Sequence, residues 1–211
     1  SSRGLGDVYK RQPKRWDKIL DINTCYLMPE VGSKIINFVR DLAKKSKLKP
    51  YDQRSHIGFL RYLALRYGEN TKELMVNIVT SYEDLDTLVP FVQSLVDEFP
   101  EVTSVVNNIN TRKADVSFGE REILLFGKPI LNEKLKELNF QISANSFFQT
   151  NSLMAEKLYD VILDSANLNG DEIVYDLYCG AGSISLFLAK KAKFVYGFDI
   201  IVSSIAVSYT H

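Results

Sequence analysis

Apolar positions along this chain switch repeatedly between helical spacing and strand-like runs. From Gly32 to Lys47, Ile35, Ile36, Val39, Leu42 and Ala43 recur at helical spacing, with lysines in the last turn where they suit the macrodipole. Lys49-Pro50 is expected to stop that helix. Phe59 to Tyr67 predicts a strand, Gly68-Glu69-Asn70 a turn, and Glu73 to Thr80 a second strand forming a hairpin with the first. Tyr82 to Glu98 is an amphipathic helix that Pro90 should shorten or kink. Val102 to Ile109 is strand-like again. Asp115 to Phe118 and Glu122 to Phe126 are short strand candidates around Gly119, and Phe140 to Ser143 closes the region. Mixed strands and two helices predict an α+β domain over residues 13–144.

The pattern then changes. Asn145 to Thr150 is a connector, and Asn151 or Ser152 can cap a helix whose apolar stripe is Met154, Leu158, Val161, Ile162 and Ala166. Strand Ile173 to Leu177, helix Ser183 to Lys191 and strand Phe194 to Phe198 follow, one βαβ unit. Between its first strand and its helix lies Asp176-Leu177-Tyr178-Cys179-Gly180-Ala181-Gly182. An acid, a glycine-rich bend and a helix start are how an open α/β sheet presents a nucleoside-bearing cofactor. Asp199, closing the next apolar run, is placed to accept the ribose hydroxyls. A dinucleotide fingerprint needs a third glycine, where this chain has Ser185. The pattern suits S-adenosylmethionine better, with a nicotinamide or flavin site and a plain βαβ turn as the alternatives.

Composition narrows the class. The 211 residues carry 26 basic and 26 acidic side chains, so a nucleic-acid surface has to be a local patch. The two cysteines, Cys25 and Cys179, make no disulfide framework, which points to a reducing, cytoplasmic setting. No apolar run approaches the roughly 20 residues of a membrane span, and no signal-peptide pattern opens the chain. Residues 1–12 and 207–211 resemble translated sequencing-adapter read-through. They are set aside as non-native tails, which makes the remainder an expected internal piece of a longer protein.

Ile142-Ser143-Ala144-Asn145-Ser146-Phe147-Phe148-Gln149-Thr150-Asn151, taken with Asp176 to Gly182, resembles the RNA uracil-5-methyltransferases, especially those acting on 23S ribosomal RNA. Gly58-Phe59-Leu60-Arg61 and Asn108-Ile109-Asn110-Thr111 support the likeness, which covers about residues 16–206. The resemblance implies an α/β fold: the start of a Rossmann-like class I methyltransferase domain over residues 145–206, truncated, preceded by the α+β domain, which would contact RNA. It implies S-adenosyl-L-methionine as cofactor, contacted by Gln149, Asp176, Tyr178, Gly180, Gly182, Ser183 and Asp199. The family usually has glutamate at the position of Asp199, so the carboxylate here is one methylene shorter. It also implies a monomer when intact, with no membrane partner. An RNA-binding module with a vestigial cofactor fold and a tRNA uracil-5-methyltransferase are the alternatives.

In this family a cysteine thiolate adds to uracil C6 and a carboxylate helps remove the C5 proton. The nucleophile's Ser-Cys-Asn-Pro-like motif does not occur in these residues, so the chain by itself is expected to be inactive. Some members hold a [4Fe-4S] cluster, and Cys25, ahead of Pro29, resembles its fourth ligand. One cysteine cannot hold such a cluster. Arg54, His56, Arg61, Arg66 and Arg112-Lys113 are candidate phosphate contacts, with Tyr62 and Tyr67 as stacking surfaces; solvated charges and half-buried tyrosines are the plain alternative. Lys44, Lys45, Lys47 and Lys49 form a basic cluster at a helix end, read first as helix stabilisation.

Overall fold

The computed structural model describes residues 21–113 and 116–200. Their contacts divide the chain into two compact units. The first runs to Tyr67 and resumes over Glu73–Leu131; the second comprises Gly68–Lys72 and the chain from Asn132.

In the first unit, α1 (Glu30–Lys45) is followed by β1 (Leu60–Tyr67), β2 (Leu74–Thr80), α2 (Leu85–Glu98), β3 (Val102–Ile109) and β4 (Arg121–Gly127). The sheet order is β1-β2-β3-β4. β1 pairs antiparallel with β2, as the hairpin reading requires, and β3 pairs antiparallel with β4. β2 and β3 are parallel, joined through α2. Every residue of β2 is buried, as expected of a central strand covered on both faces. The core packs Ile35 and Val39 of α1 and Leu88, Phe91, Val92 and Leu95 of α2 onto Leu74, Val76, Ile78 and Val105 of the sheet.

Three local expectations are corrected here. Helix α1 ends before Pro50. Lys47 takes a left-handed φ of 55°, its amide donates to Lys44 O at 3.1 Å, and the Leu48 amide donates to Ala43 O at 3.0 Å. That bonding satisfies the last carbonyls without any help from proline. Helix α2 starts three residues later than Tyr82, because Asp84 caps it by accepting the Thr87 amide at 3.0 Å, and it runs on through Pro90. The strand expected from Asp115 to Phe118 does not form over its described part, Val116 to Phe118; Asp115 lies outside the described residues. Side chains organise this loop instead: Asn110 Nδ2 donates to Val116 O at 2.8 Å.

The second unit holds a two-stranded sheet of β5 (Ile130–Leu135) and β6 (Leu138–Ser143), where sequence had indicated only the latter. This sheet sorts mainly with the second unit. Leu131, Glu133 and Leu135 of β5 are all buried. Glu133 receives the amides of Glu69 (2.7 Å), Asn70 (3.1 Å) and Lys134 (2.8 Å) and the hydroxyl of Ser152 (2.6 Å). A buried carboxylate is tolerated when donors satisfy it in this way.

Helix α3 (Ser152–Ala166) is capped by Asn151, whose Oδ1 accepts the Met154 amide at 3.0 Å. Its inward face is Ser152, Ala155 and Tyr159, whereas Met154, Leu158 and Val161 are exposed, which corrects the predicted stripe. Ser152 faces inward, where its hydroxyl donates to the buried Glu133 carboxylate at 2.6 Å. β7 (Ile173–Leu177), α4 (Ser183–Leu188) and β8 (Phe194–Phe198) complete the unit, with β7 and β8 parallel in the register Ile173↔Phe194 to Leu177↔Phe198. This is the start of a Rossmann-like α/β arrangement.

Candidate functional site

The bend after β7 is built from backbone that ordinary residues avoid. Tyr178 (φ 70°), Gly180 (φ 55°) and Gly182 (φ 72°) are all left-handed. For a tyrosine this costs on the order of 1–2 kcal/mol, strain of a kind that clusters at functional sites. The bend is anchored to the end of β8: the amides of Tyr178 and Cys179 donate to Phe198 O at 2.7 and 2.9 Å. The Gly180 amide donates to Asp199 Oδ2 at 2.8 Å. A side-chain carbon placed on Gly180 would meet nothing within 4 Å, so glycine is needed there for its φ, and the space beside it is open.

That space is a small cleft of about 110 Å³. Of the residues predicted from sequence, Gln149, Tyr178, Gly180 and Ser183 line it. Asp199 is not among its lining residues and is tied to its rim by accepting the Gly180 amide. Gly182 is buried at the cap of α4. Asp176 sits one layer back, its Oδ2 accepting the Ser185 hydroxyl at 2.6 Å, which fastens α4 to the end of β7. Sequence reasoning missed Phe147, Phe148 and Tyr159, which also line the cleft. The buried Tyr159 donates to Ser183 Oγ at 3.0 Å and packs its ring on Phe187 at 5.0 Å between centroids. Burial pushes the Tyr159 phenol above its usual range, so it stays a donor. The pairing joins α3 to α4, and no local sequence signal marks it.

Cys179 also borders the cleft. Burial, with the charges of Asp176 and Asp199, pushes its thiol up, the wrong direction for a nucleophile. Cys25 is buried in the first unit, its amide donating to Ser33 Oγ at 2.9 Å. Among the described residues no three of His, Cys, Asp or Glu are grouped to hold a metal, so these residues do not fit a [4Fe-4S] cluster. Nor is any described helix long and apolar enough to cross a membrane.

The basic residues proposed for phosphate contact are partly committed elsewhere. Arg61 donates to the carbonyls of Asn110 and Arg112 and lies over the Tyr51 ring at 4.2 Å. Arg112 pairs with Glu120 at 3.0 Å. His56 is exposed and shares a 3.1 Å hydrogen bond with Tyr51.

An uncharacterized RNA methyltransferase of Chlorobaculum tepidum is 42% identical over 194 residues, which are 92% of this chain and 40% of the relative. One from Listeria innocua is 42% identical over 192 residues, 91% of this chain and 42% of the relative. The chain therefore spans about two fifths of the length of the curated relatives it matches. Among solved structures, the Pyrococcus abyssi tRNA (uracil-54, C5)-methyltransferase in complex with S-adenosyl-L-homocysteine superposes with a TM-score of 0.76 at 32% identity, over 93% of this chain and 46% of that one. Residues 93–211 match the family model described as tRNA (uracil-5-)-methyltransferase, and with that match and these relatives the chain belongs to that family.

Proposed function

We propose that the chain carries the cofactor-binding part of an S-adenosylmethionine-dependent enzyme that methylates C5 of uridine in RNA, ribosomal RNA in the first instance. The observation that carries this reading is the open cleft beside Gly180 with Asp199 bonded to its rim. The residues present fit the cofactor: an uncrowded left-handed glycine, a carboxylate at the end of the neighbouring strand, and aromatic and hydroxyl side chains around them. Bound there, S-adenosylmethionine supplies an electrophilic methyl carbon.

The chain's own residues have separable tasks. Asp199 accepts from the ribose hydroxyls. Tyr159 donates a hydrogen bond to Ser183 Oγ, which leaves the Ser183 hydroxyl hydrogen to donate into the cleft. Gln149 adds an amide from the connector before α3, and the Tyr178 ring covers the nucleoside. Asp176 acts through Ser185, holding α4 where its first turn meets the ligand. Residues 145–206 thus serve the cofactor, and residues 13–144 serve the RNA.

The two cysteines of the chain suit neither nucleophilic addition nor proton removal: Cys25 is buried and the Cys179 thiol is pushed up. Methyl transfer then needs a thiolate from outside these 211 residues, and the chain alone leaves uridine unmodified. A tRNA substrate is the second reading, favoured by the uracil-54 activity in the name of the Pyrococcus abyssi neighbour.

Tritium transfer from methyl-labelled S-adenosylmethionine tests the proposal. It should be run with a protein of the relatives' full length and, separately, 23S ribosomal RNA and tRNA transcripts. Label at uridine C5 of ribosomal RNA is expected. Label in tRNA alone moves the substrate to the second reading. Binding of RNA with neither label nor cofactor binding would leave an RNA-binding module with a vestigial cofactor fold and sink the enzymatic reading.

A further inference from the structure

We propose that a cleft in the first unit, walled by Lys47, Lys49, Ile57 and Tyr82, docks a single-stranded stretch of RNA. One base stacks on Tyr82 and neighbouring phosphates meet the two ammonium groups. The inference rests on RNA being the substrate, and it names a place on the first unit where the strand is held.

The cleft is about 430 Å³, and the buried ring of Phe59 lines it. Both lysines are exposed, and among the described residues neither ammonium has an ion-pair partner. The acid on its wall, Asp84, is turned to the start of α2: Oδ1 accepts the Thr87 amide at 3.0 Å and Oδ2 the Thr87 hydroxyl at 2.8 Å. Among the described residues the cleft therefore presents two cations without ion-pair partners against one carboxylate whose oxygens are turned to Thr87, a net positive setting that favours an anion.

The cations sit on fixed backbone. Lys47 is held in its left-handed conformation by the bonds that end α1. The carbonyl of Lys49 receives the amides of Phe59 at 2.7 Å and Leu60 at 3.1 Å. Gly58 permits this closure: at φ 128°, any side chain would start 2.1 Å from Pro50 O. Little backbone entropy remains to be lost when a strand docks.

The apolar walls decide the chemical class. Tyr82 is 52% exposed, yet its ring is held against Phe59 at 4.9 Å between centroids. Ile57 is 67% exposed. An acidic peptide would use the lysines and leave these surfaces wet. A nucleotide uses both, since every base offers a π-face and every linkage a phosphate. This also separates Lys47 and Lys49 from Lys44 and Lys45, which lie in the last turn of α1 and serve the helix end.

The test is fluorescence anisotropy of a labelled uridine-rich heptanucleotide with the 211-residue chain across a sodium chloride series. Lys47→Ala with Lys49→Ala should weaken binding about tenfold and flatten the slope of log affinity against log salt by about 1.4, two phosphates at roughly 0.7 each. Tyr82→Ala should cost about fivefold or more, and Tyr82→Phe should restore most of it, since stacking needs the ring and not the hydroxyl. Lys157→Ala with Lys191→Ala, exposed lysines far from the cleft in sequence, should leave binding unchanged. Thermal melts of each variant guard against unfolding. The proposal is overturned if the chain binds no oligonucleotide, if the Lys47/Lys49 variant keeps its affinity and slope, or if an oligoglutamate competes as well as the RNA. Titration with S-adenosylhomocysteine is read separately. Intact cofactor binding with a silent cleft removes this inference alone.

Discussion

Gly180 and Asp199 are joined by a 2.8 Å hydrogen bond from the amide of the first to Oδ2 of the second. The bond couples the bend after β7 to the residue that follows β8. Gly180→Ala places a methyl group in open space but forces it to keep a φ of 55°. The backbone cost is on the order of 1–2 kcal/mol. A modest fall in melting temperature is expected, with S-adenosylhomocysteine affinity reduced at least tenfold in titration calorimetry. A variant that melts lower yet binds normally would show that the open space is not where ligand sits.

Tyr159 reaches the same cleft from α3, donating to Ser183 Oγ at 3.0 Å. Tyr159→Phe keeps the ring on Phe187 and removes only the donor. A hydrogen bond of this kind is worth about 1 kcal/mol, or roughly fivefold in affinity. Ser183→Ala should cost about as much or more. The double variant should cost clearly less than the two single losses combined, because they act through one hydroxyl. Strict additivity in calorimetric titrations of all three would separate Tyr159 from the cofactor.

Glu133 organises the second unit from within. Three amides and one hydroxyl point at its carboxylate, so every contact asks it to accept. Glu133→Gln turns a donor toward at least one of them and should destabilise the fold by about 1–3 kcal/mol in urea denaturation. An unchanged midpoint would mean that the loop Gly68–Lys72 is not held by this residue.

The bend and its flanking strands were legible in the sequence because their signals are local: apolar runs, then Gly180 and Gly182, then an acid. β5 was not. Glu133 sits at an inward position between Leu131 and Leu135, where a charged residue hides the alternation of a half-buried strand. The stripe chosen for α3 was wrong for a related reason, since the buried face is set by Ser152 and Tyr159, whose partners lie elsewhere in the chain. The partners of Arg61, the carbonyls of Asn110 and Arg112, are equally remote in sequence. Pairings across long sequence separations leave no periodicity to read.

Cys179 should resist alkylation at neutral pH. Burial comes first among the causes that raise its thiol pKa, followed by the charges of Asp176 and Asp199. Only the thiolate reacts, so the half-maximal rate with iodoacetamide should lie above the roughly 8.5 of an ordinary cysteine. The sign for stability follows. The folded state favours the neutral thiol, so this contribution is full below the unfolded value and is lost as pH rises through the raised one. Peptide mapping at several pH values distinguishes Cys179 from Cys25; half-maximal modification of Cys179 at or below pH 8 would contradict the assignment.

We expect the cleft beside Gly180 to hold S-adenosylmethionine with its sugar on Asp199. Calorimetric titration of S-adenosylhomocysteine into this chain and into its Asp199→Ala variant decides it. Saturable one-to-one binding that weakens at least tenfold in the variant is predicted. No saturable heat from the unaltered chain, or equal affinity in the two, would contradict it.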